Sequence, residues 1–385
     1  MQPIQPIQYD AIIIGAGLAG CSTAIQLAQR GHRVLLLEQQ RYPTHKLCGE
    51  FLSVEVISSF ERLGILGAVR AAGAVPIRHA SVTTCTGQSF HSDLPGTALG
   101  LSRYALDLIL IQRAAAVGAT CRDGTAVTAV TGDLREGFTV TTRQEVFTAR
   151  MVMGAYGKRS GLDRSLARPF VQHPSPFVAS KAHYTGIDLP NVVELHAFPG
   201  GYCGLSQIEA GRINVCWIAH GQKMQAAGKG DRAQALSQNP VLAERLASMK
   251  CLTEASQSLS QISFALKGKF DQDIWMIGDT AGMIAPLCGD GMAMALRSAE
   301  LAVPMATAFL QGQLEIQSLK RQYSHAWNHE FRTRLQLGRL MHYGFIEPAI
   351  AQIGVQLCRH IPALGDALIR ATRGASHEPA LAELG

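Results

Sequence analysis

The sequence lacks the composition of several common protein classes. Its nine cysteines are scattered without a C-x-x-C pair, so they indicate neither a zinc site nor a disulfide framework. Charged residues make up only 17% of the chain, and no dense Lys/Arg run with interleaved aromatic residues accompanies the net charge of +6. We therefore expect no metal site and no nucleic-acid partner. The mild positive charge suits an anionic cofactor or an acidic surface.

Long uninterrupted apolar runs are also missing. The two most apolar windows, Ala11–Ile25 and Trp275–Leu296, are interrupted by glycine and aspartate, so we expect no transmembrane segment. The residues before Ile12 do not show a basic segment followed by the apolar core of a signal peptide. Together with the scattered cysteines, this pattern predicts a cytoplasmic protein.

A strand–helix–strand unit opens the chain. The apolar run Tyr9–Gly15 predicts a strand, Leu18–Arg30 has helical spacing, and His32–Glu38 predicts a second buried strand. This order is typical of a dinucleotide-binding domain.

The first turn of this unit has the pattern G-x-G-x-x-G. Gly15 permits the tight turn, Gly17 lets the backbone approach a pyrophosphate, and Gly20 lets the helix pack closely on the sheet. The helix amino terminus then faces the phosphates. Glu38 ends the second strand, where a carboxylate can bind both ribose hydroxyls. The predicted cofactor-binding residues here are Gly15, Gly17, Leu18, Ala19, Gly20, Glu38 and Gln39.

A second motif lies near residue 290. Ile274–Ile277 predicts a buried parallel strand ending in Gly-Asp, where an acid can hold the ribityl hydroxyls of a flavin. A helix then begins near Gly291, and its free N–H groups would face the flavin N1–C2 carbonyl, which gains charge on reduction. The two motifs, in this order and separation, predict FAD rather than NAD. The predicted cofactor-binding residues here are Gly278, Asp279, Pro286, Gly289, Asp290, Gly291 and Met292.

Between the two motifs the pattern changes to short β-like runs among turns. From about residue 170 to 267 it predicts a mainly antiparallel insert that binds the substrate, with one helix over Ala233–Met249. Long helices are predicted over Gly291–Gln311 and Leu314–Leu337, followed by a fairly apolar helical tail. The predicted strands of the insert are Val192–Ala197, Ile213–Ile218 and Ser260–Ala265.

Three segments resemble a known superfamily. The segment K-L-C-G-E-F-L-S from Lys46 resembles the geranylgeranyl reductase signature K-x-C-G-G-G-L-S. The segment L-S-R-Y-A-L-D resembles the family's S-R-x-x-L-D, whose arginine, here Arg103, lies near the cofactor. The run from Gly278 matches G-D-x-A-G…P…G-x-G. The chain thus resembles the flavoproteins that include aromatic hydroxylases, flavin-dependent halogenases and geranylgeranyl reductases, over about 1–170 and 270–310.

This resemblance implies an α/β fold with a Rossmann-like FAD domain of glutathione-reductase type. The discontinuous FAD domain is expected over 1–75, 100–169 and 270–312. The inserted, mainly antiparallel β substrate domain is expected over 76–99 and 170–269, and a C-terminal helical region over 313–385.

The departures from the family patterns bear on the reaction. Glu50 replaces the second glycine after the signature cysteine, and the reductases' Y-x-W-x-F-P-K segment reads Y-C-G-L-S-Q-I from Tyr202. Tyr156 replaces the aspartate of the hydroxylases' G-A-D-G, so this chain is not expected to use NADPH as the hydroxylases do. No second G-x-G-x-x-G is present, so NAD(P)H is expected to bind transiently, or a reductase partner to supply electrons.

Three residues are predicted to be catalytic: Cys48, Glu50 and Tyr202. By resemblance Cys48 lies near the flavin ring, Glu50 could exchange a proton beside it, and Tyr202 could face the substrate. The alternatives are a cysteine packed as a small hydrophobe and a tyrosine in ordinary strand packing. Lys46, Cys48 and Arg103 are also predicted to bind the cofactor, although Lys46 alternatively is an exposed loop residue.

The function predicted from these residues is FAD-dependent oxidation or reduction of an apolar or aromatic small molecule, such as one of secondary metabolism. Monooxygenation through a flavin C4a-hydroperoxide is the first reading. The alternatives are reduction of carbon–carbon double bonds, as in geranylgeranyl reductases, and a flavin dehydrogenase or electron carrier. The substrate could be presented by a carrier protein or a membrane, which would make the protein membrane-peripheral. The arginines on the predicted helix, expected to form a solvated face or an anion-binding surface, are Arg321, Arg332, Arg334 and Arg339.

Overall fold

The computed structural model describes residues 8–158, 160–253 and 256–374. The start of the predicted FAD domain and the end of the predicted helical region therefore lie outside the described residues. The strands are β1 Tyr9–Ile14, β2 Val34–Leu37, β3 Phe51–Leu52, β4 Val75–Thr83, β5 Ser89–Gly100, β6 Thr120–Arg122, β7 Val127–Asp133, β8 Gly137–Thr142, β9 Val146–Gly154, β10 Phe177–Thr185, β11 Asn191–Phe198, β12 Gly201–Ile208, β13 Arg212–His220, β14 Lys250–Cys251, β15 Gln257–Ser260, β16 Phe270–Asp271 and β17 Ile274–Met276. The helices are α1 Leu18–Gln29, α2 Val56–Leu63, α3 Leu66–Ala71, α4 Arg103–Ala116, α5 Gly161–Ser165, α6 Gly221–Ala227, α7 Arg232–Leu236, α8 Pro240–Ala247, α9 Gly291–Leu310, α10 Ile316–Phe345, α11 Pro348–His360 and α12 Pro362–Ala371.

The first sheet carries both glycine motifs. Its strand order is β16-β17-β9-β1-β2-β6, and the strands from β17 to β6 run parallel. All residues of β2 and β17 are buried, as expected for apolar strands in a sheet covered on both faces. Because the carboxyl ends of parallel strands meet at one edge, the loops after β1, β2, β9 and β17 converge there.

The second sheet has the order β14-β10-β13-β12-β11-β4-β5-β3, and β15 also pairs with β10. Its described pairings are antiparallel except for β11, which lies parallel to β4. The mixed α/β fold class with a mainly antiparallel insert is thereby confirmed. The β4–β5 hairpin and β3 join this sheet from an earlier part of the chain.

Two local predictions within the insert were wrong. The single helix expected over Ala233–Met249 is divided into α7 and α8, because Asn239 caps a new helix and Pro240 begins it. The Asn239 side chain accepts the Leu242 N–H at 3.0 Å, and proline cannot continue a preceding helix. The strand expected over Ser260–Ala265 lies earlier, at β15.

The helical C-terminus packs on both parts of the molecule. Helix α10 lies against α9, whereas α11 and α12 pack on β5 through a cluster of Phe90, Val355 and Cys358. A side-chain carbon at Gly365 would lie 2.1 Å from the Phe90 ring, so the glycine lets α12 approach this closely. Among the described residues, α9 alone is long and apolar enough to cross a membrane, and 50% of it is buried within the protein.

Candidate active site

The first glycine motif forms a close contact between β1, α1 and the end of β9. Gly15 has a φ of +103°, and a side-chain carbon there would lie 2.5 Å from the Ala155 carbonyl oxygen. At Gly20 such a carbon would lie 1.8 Å from the Gly15 carbonyl oxygen. Only glycine therefore allows the first turn of α1 to pack directly on the strand that precedes it.

The amino terminus of α1 opens onto a cavity. Gly17 precedes the helix, and no side chain caps its free N–H groups. A side-chain carbon at Gly17 would meet only the Arg103 guanidinium, at 3.5 Å, so the space beside the backbone is open. Leu18 and Ala19 also line the cavity. Unpaired N–H groups at a helix amino terminus bind anions, so this corner fits a pyrophosphate.

Glu38 closes the same corner from the end of β2. One of its carboxylate oxygens accepts the Ala16 N–H at 3.0 Å, and the other accepts the Gln40 N–H at 3.0 Å. Lys46 lies 3.2 Å from Glu38 and 3.3 Å from Asp107. Glu38 therefore both braces the glycine turn and lines the cavity, with Gln39 beside it. Lys46 is therefore not an exposed loop residue, because its ammonium is partly buried and pairs with two carboxylates.

The predicted cofactor arginine is held in place by its own helix. Arg103 lies in the first turn of α4, and its Nε and Nη2 donate to the two carboxylate oxygens of Asp107 at 2.6 and 2.7 Å. Burial alone would lower the pKa of Arg103, but the Asp107 charge outweighs that effect and raises it. The guanidinium is thus a fixed positive group that lines the cavity beside Gly17.

The second motif forms the opposite wall. Gly278 has a φ of +58°, donates its N–H to Ser298 Oγ at 2.9 Å and packs against Ala19. Asp279 follows in a short 3-10 helix and lines the cavity, as do Pro286 and Gly289. The cavity also reaches Gly291 and Met292 at the start of α9, which no side chain caps. Two uncapped helix termini therefore face one cavity, as a dinucleotide with a flavin ring requires.

The side chain of Asp290, a predicted cofactor-binding residue, is engaged inside the protein. Its fully buried carboxylate accepts Ser53 Oγ–H at 3.2 Å and Arg334 Nη1–H at 2.9 Å. Burial raises the pKa of Asp290 to about 7, although the Arg334 charge opposes this shift. Asp290 therefore joins the second motif to α10. The solvated face predicted for the four arginines is wrong at Arg334, because this residue is buried as the partner of Asp290.

Cys48 lies where the two walls meet. Its sulfur is 3.7 Å from Met292 Sδ at the amino terminus of α9, and the residue is half-buried and lines the cavity. Asn214 of β13 donates its side-chain amide to the Cys48 carbonyl at 3.3 Å. The signature segment is thus fixed against β13 and the start of α9, with the thiol between Met292 Sδ and the Glu50 N–H, which lies 3.4 Å from the sulfur.

Glu50 forms a buried ionic network with β10. Its carboxylate accepts the Arg103 backbone N–H at 2.7 Å, lies 2.7 Å from His183 Nε2 and pairs with Lys181. Burial alone would raise the pKa of Glu50, but the His183 hydrogen bond and the Lys181 charge outweigh it and lower the pKa. Glu50 also has a φ of 53°, a left-handed conformation suited to the glycine that the family pattern has here. The ionised carboxylate is unsuited to deliver a proton.

Tyr202 lies on β12 of the second sheet and contacts the loop of the second motif. Its hydroxyl accepts the Leu287 N–H at 3.0 Å and lies 3.1 Å from Nδ1 of His342 on α10. Burial raises the pKa of Tyr202, so the hydroxyl stays protonated. Burial also lowers the pKa of His342 to about 4, which keeps that imidazole neutral at physiological pH.

One cavity of about 1360 Å³ joins the two walls, and Glu50 and Tyr202 line it as well. It runs from the first glycine turn past Cys48 and Tyr202 to the C-terminal helices, where Leu340, Tyr343 and Ile350 line it. A model of the family described as "FAD binding domain" matches residues 8–328.

The chain belongs to the FAD-binding domain family. Curated relatives of similar extent support this assignment. "Conditioned medium factor receptor 1" of Dictyostelium discoideum is 24% identical over 87% of this chain and 71% of its own. "Digeranylgeranylglycerophospholipid reductase 2" of Methanopyrus kandleri is 25% identical over 84% and 83%. "Menaquinone reductase" of Mycolicibacterium smegmatis is 25% identical over 78% and 76%.

Among solved structures, the flavin-dependent brominase Bmp2 has the same fold, with a TM-score of 0.78 at 20% identity over 94% of this chain and 93% of that one. Family and fold together confirm the predicted superfamily. The protein is an FAD-dependent oxidoreductase, and the open glycine turn and the uncapped helix termini are the features that fit FAD.

Several residues that hold the walls of this cavity in place were not predicted from the sequence. Lys181 and His183 alternate along β10, a spacing that puts both on one face and was the available signal. Lys267 donates to the Asp279 carbonyl at 3.0 Å, and burial lowers its pKa to about 8. His342 belongs to a long amphipathic helix and carried no motif.

Proposed function

We propose that this FAD-dependent oxidoreductase reduces a carbon–carbon double bond in a long apolar molecule. The observation that supports this most is the lining of the cavity, which includes residues of both glycine motifs as well as apolar residues of the C-terminal helices. Its far part is lined by apolar side chains, including Leu195, Ile218, Met283 and Phe345. A large, mostly apolar space that spans the FAD site and the C-terminal helices favours a large hydrocarbon over a compact polar substrate.

The chain's own residues then have distinct roles. Bound FAD, once reduced, would supply the hydride for one carbon of the double bond. The apolar walls would bind the chain and exclude water from that position. We assign the proton for the second carbon to the thiol of Cys48, which lies at the amino terminus of α9, where the flavin ring is expected. The thiol would regain its proton from solvent after each turnover.

Glu50 and Tyr202 are proposed to act by positioning. Glu50 fixes the turn after Cys48 through Lys181, His183 and the Arg103 N–H, which fixes where the thiol points. Tyr202 holds the Leu287 N–H and thereby the loop before α9. The relatives named as reductases of a digeranylgeranyl lipid and of menaquinone support the same class of substrate for this chain.

The test is single-turnover reduction. Protein loaded with FAD is reduced with dithionite without oxygen and mixed with prenylated lipids or prenyl quinones, while the flavin absorbance is followed. We expect reoxidation by one of them and a product heavier by two hydrogens. Cys48→Ala should slow this step, Cys48→Ser should restore part of it, and both should retain FAD.

Monooxygenation is the second candidate, because a cavity that excludes water also protects an oxygenating flavin. It would be favoured if reoxidation required oxygen and the product gained one oxygen atom. In that case the proton role of Cys48 would be withdrawn. Absence of both products with the whole panel would favour an electron carrier instead.

A further inference from the structure

The C-terminal helices expose an unusual set of large apolar side chains. Exposed fractions are 72% for Leu340, 56% for Ile353 and 46% for Leu357. Single exposed apolar residues are normal, but a contiguous group of them marks an interaction surface. We call this group the C-terminal apolar face; its members are Leu340, Tyr343, Ile350, Ile353, Leu357, Ile361 and Leu364.

The face is a regular feature of α11. Ile350, Ile353 and Leu357 follow one another by three and four residues, so they form one stripe along the helix. The opposite side of the same helix, with Val355 and Cys358, is buried against β5 of the second sheet. Helix α11 therefore has two apolar sides, of which one is buried in the protein and the other is exposed to solvent.

The face is continuous with the opening of the cavity. Leu340, Tyr343 and Ile350 are largely exposed and also line the cavity, so they form its rim. Gly354 on α11 lines the cavity too and provides room between the helices. A molecule leaving an apolar phase at this face would enter the cavity without crossing water.

The charges around the face select one kind of partner. No acidic residue occurs between Glu347 and Asp366, and these two are engaged by Lys223 and by Ser92. Arg359 on α11 and Arg370 on α12 are exposed and make no ion pair within the part of the chain that the structure describes. An apolar side on a helix that carries basic and no acidic side chains is typical of helices that lie in the interface of an anionic membrane.

We infer that the C-terminal apolar face docks on an anionic phospholipid bilayer, with α11 lying in the interface and the cavity opening toward the lipid. The exposed isoleucine and leucine side chains enter the acyl boundary, and the arginines contact the phosphates. The inference rests on the proposed function in one respect, namely that the substrate is apolar and is taken from the lipid. Docking itself does not depend on which reaction the protein catalyses.

The experiment is co-sedimentation of the FAD-loaded protein with vesicles. Binding is expected to vesicles of phosphatidylcholine with phosphatidylglycerol, to weaken on adding salt, and to be lower with phosphatidylcholine alone. The double variant Ile353→Glu/Leu357→Glu should lose about tenfold or more of the affinity. Leu252→Glu is the matched control, because Leu252 is equally exposed (49%) but lies outside the face; it should bind as the wild type does.

Folding is checked independently by the FAD content and flavin spectrum, which should be the same in all variants. Absence of vesicle binding by the wild type would overturn the inference, as would an equal loss in the Leu252→Glu control. It would also be overturned if the wild type were a dimer that the double variant split, because a second copy would then occupy the face. Vesicle binding without double-bond reduction would leave docking in place and refute the proposed function alone.

Discussion

His342 gives the clearest prediction for the pH dependence of stability. The imidazole is fully buried on α10 among Phe177, Phe264 and Tyr202, with ring centroids 4.6 Å from both phenylalanines. Nδ1 lies 3.1 Å from the Tyr202 hydroxyl, whereas Nε2 has no hydrogen-bond partner among the described residues. Burial removes the imidazole from water, which disfavours its charged form and lowers the pKa of His342 to about 4.

The size of the effect follows from the two pKa values. The unfolded chain binds the proton with a pKa of about 6.5, and the folded chain only near 4. The neutral form is favoured by folding, so the stability from this residue is complete above pH 6.5 and is lost as the pH falls from there toward 4. Between pH 7 and pH 5 the loss is about 2 kcal/mol.

The assay is urea unfolding of FAD-loaded protein at pH 7 and pH 5. His342→Gln keeps a polar partner for Tyr202 but cannot titrate, so its free energy of unfolding should fall by about 2 kcal/mol less over this interval than that of the wild type. His329→Gln is the matched control, because His329 lies exposed on the same helix; it should change with pH as the wild type does. Equal losses in the wild type and His342→Gln would refute the reasoning.

Three other substitutions test the site. Gly20→Val should abolish FAD binding, because its side chain would overlap the backbone of the preceding turn. The control Gly67→Ala should retain FAD, because a side chain there meets open space. The flavin absorbance per protein measures the FAD content of both variants. Glu50→Gln leaves a buried lysine unpaired and should cost about 3–5 kcal/mol in urea unfolding; a cost below about 1 kcal/mol would contradict the buried ion pair. Arg334→Met should be similarly destabilising, but much less so in combination with Asp290→Asn, and additive effects in this double-mutant cycle would exclude the coupling.

Local patterns predicted the cofactor half of the molecule well. The first glycine turn, α1, β2 and Glu38 are neighbours in sequence, and their spacing alone fixes which residues meet. The second motif was recognisable for the same reason, since the strand, the turn and the helix start follow one another directly. The cofactor and the fold class could therefore be read from short segments.

Contacts between distant segments could not be predicted in this way. Helical periodicity placed Arg334 on a solvated face because it says nothing about Asp290, which lies 44 residues away. The ionic network of Glu50 was not predicted, because its partners Lys181 and His183 lie on a strand of the insert, 131 and 133 residues away. The division of α7 from α8 is different, since the pair Asn239-Pro240 is a local helix-start signal that was overlooked.

The order of the strands also governs how the chain can be assembled during synthesis. In the first sheet, β1 pairs along one edge of β9, and β8 covers the first part of the other edge. The carboxyl end of that second edge, at Met153 and Gly154, stays open until residues 274–276 have emerged. At about 5–20 residues per second, roughly 10 seconds separate the synthesis of the two strands. In that interval the whole insert is produced while the amino-terminal sheet exposes the apolar carboxyl end of β9 on one side. The nascent chain must therefore be protected from aggregation through its middle third, and neither half of the protein can mature before the other.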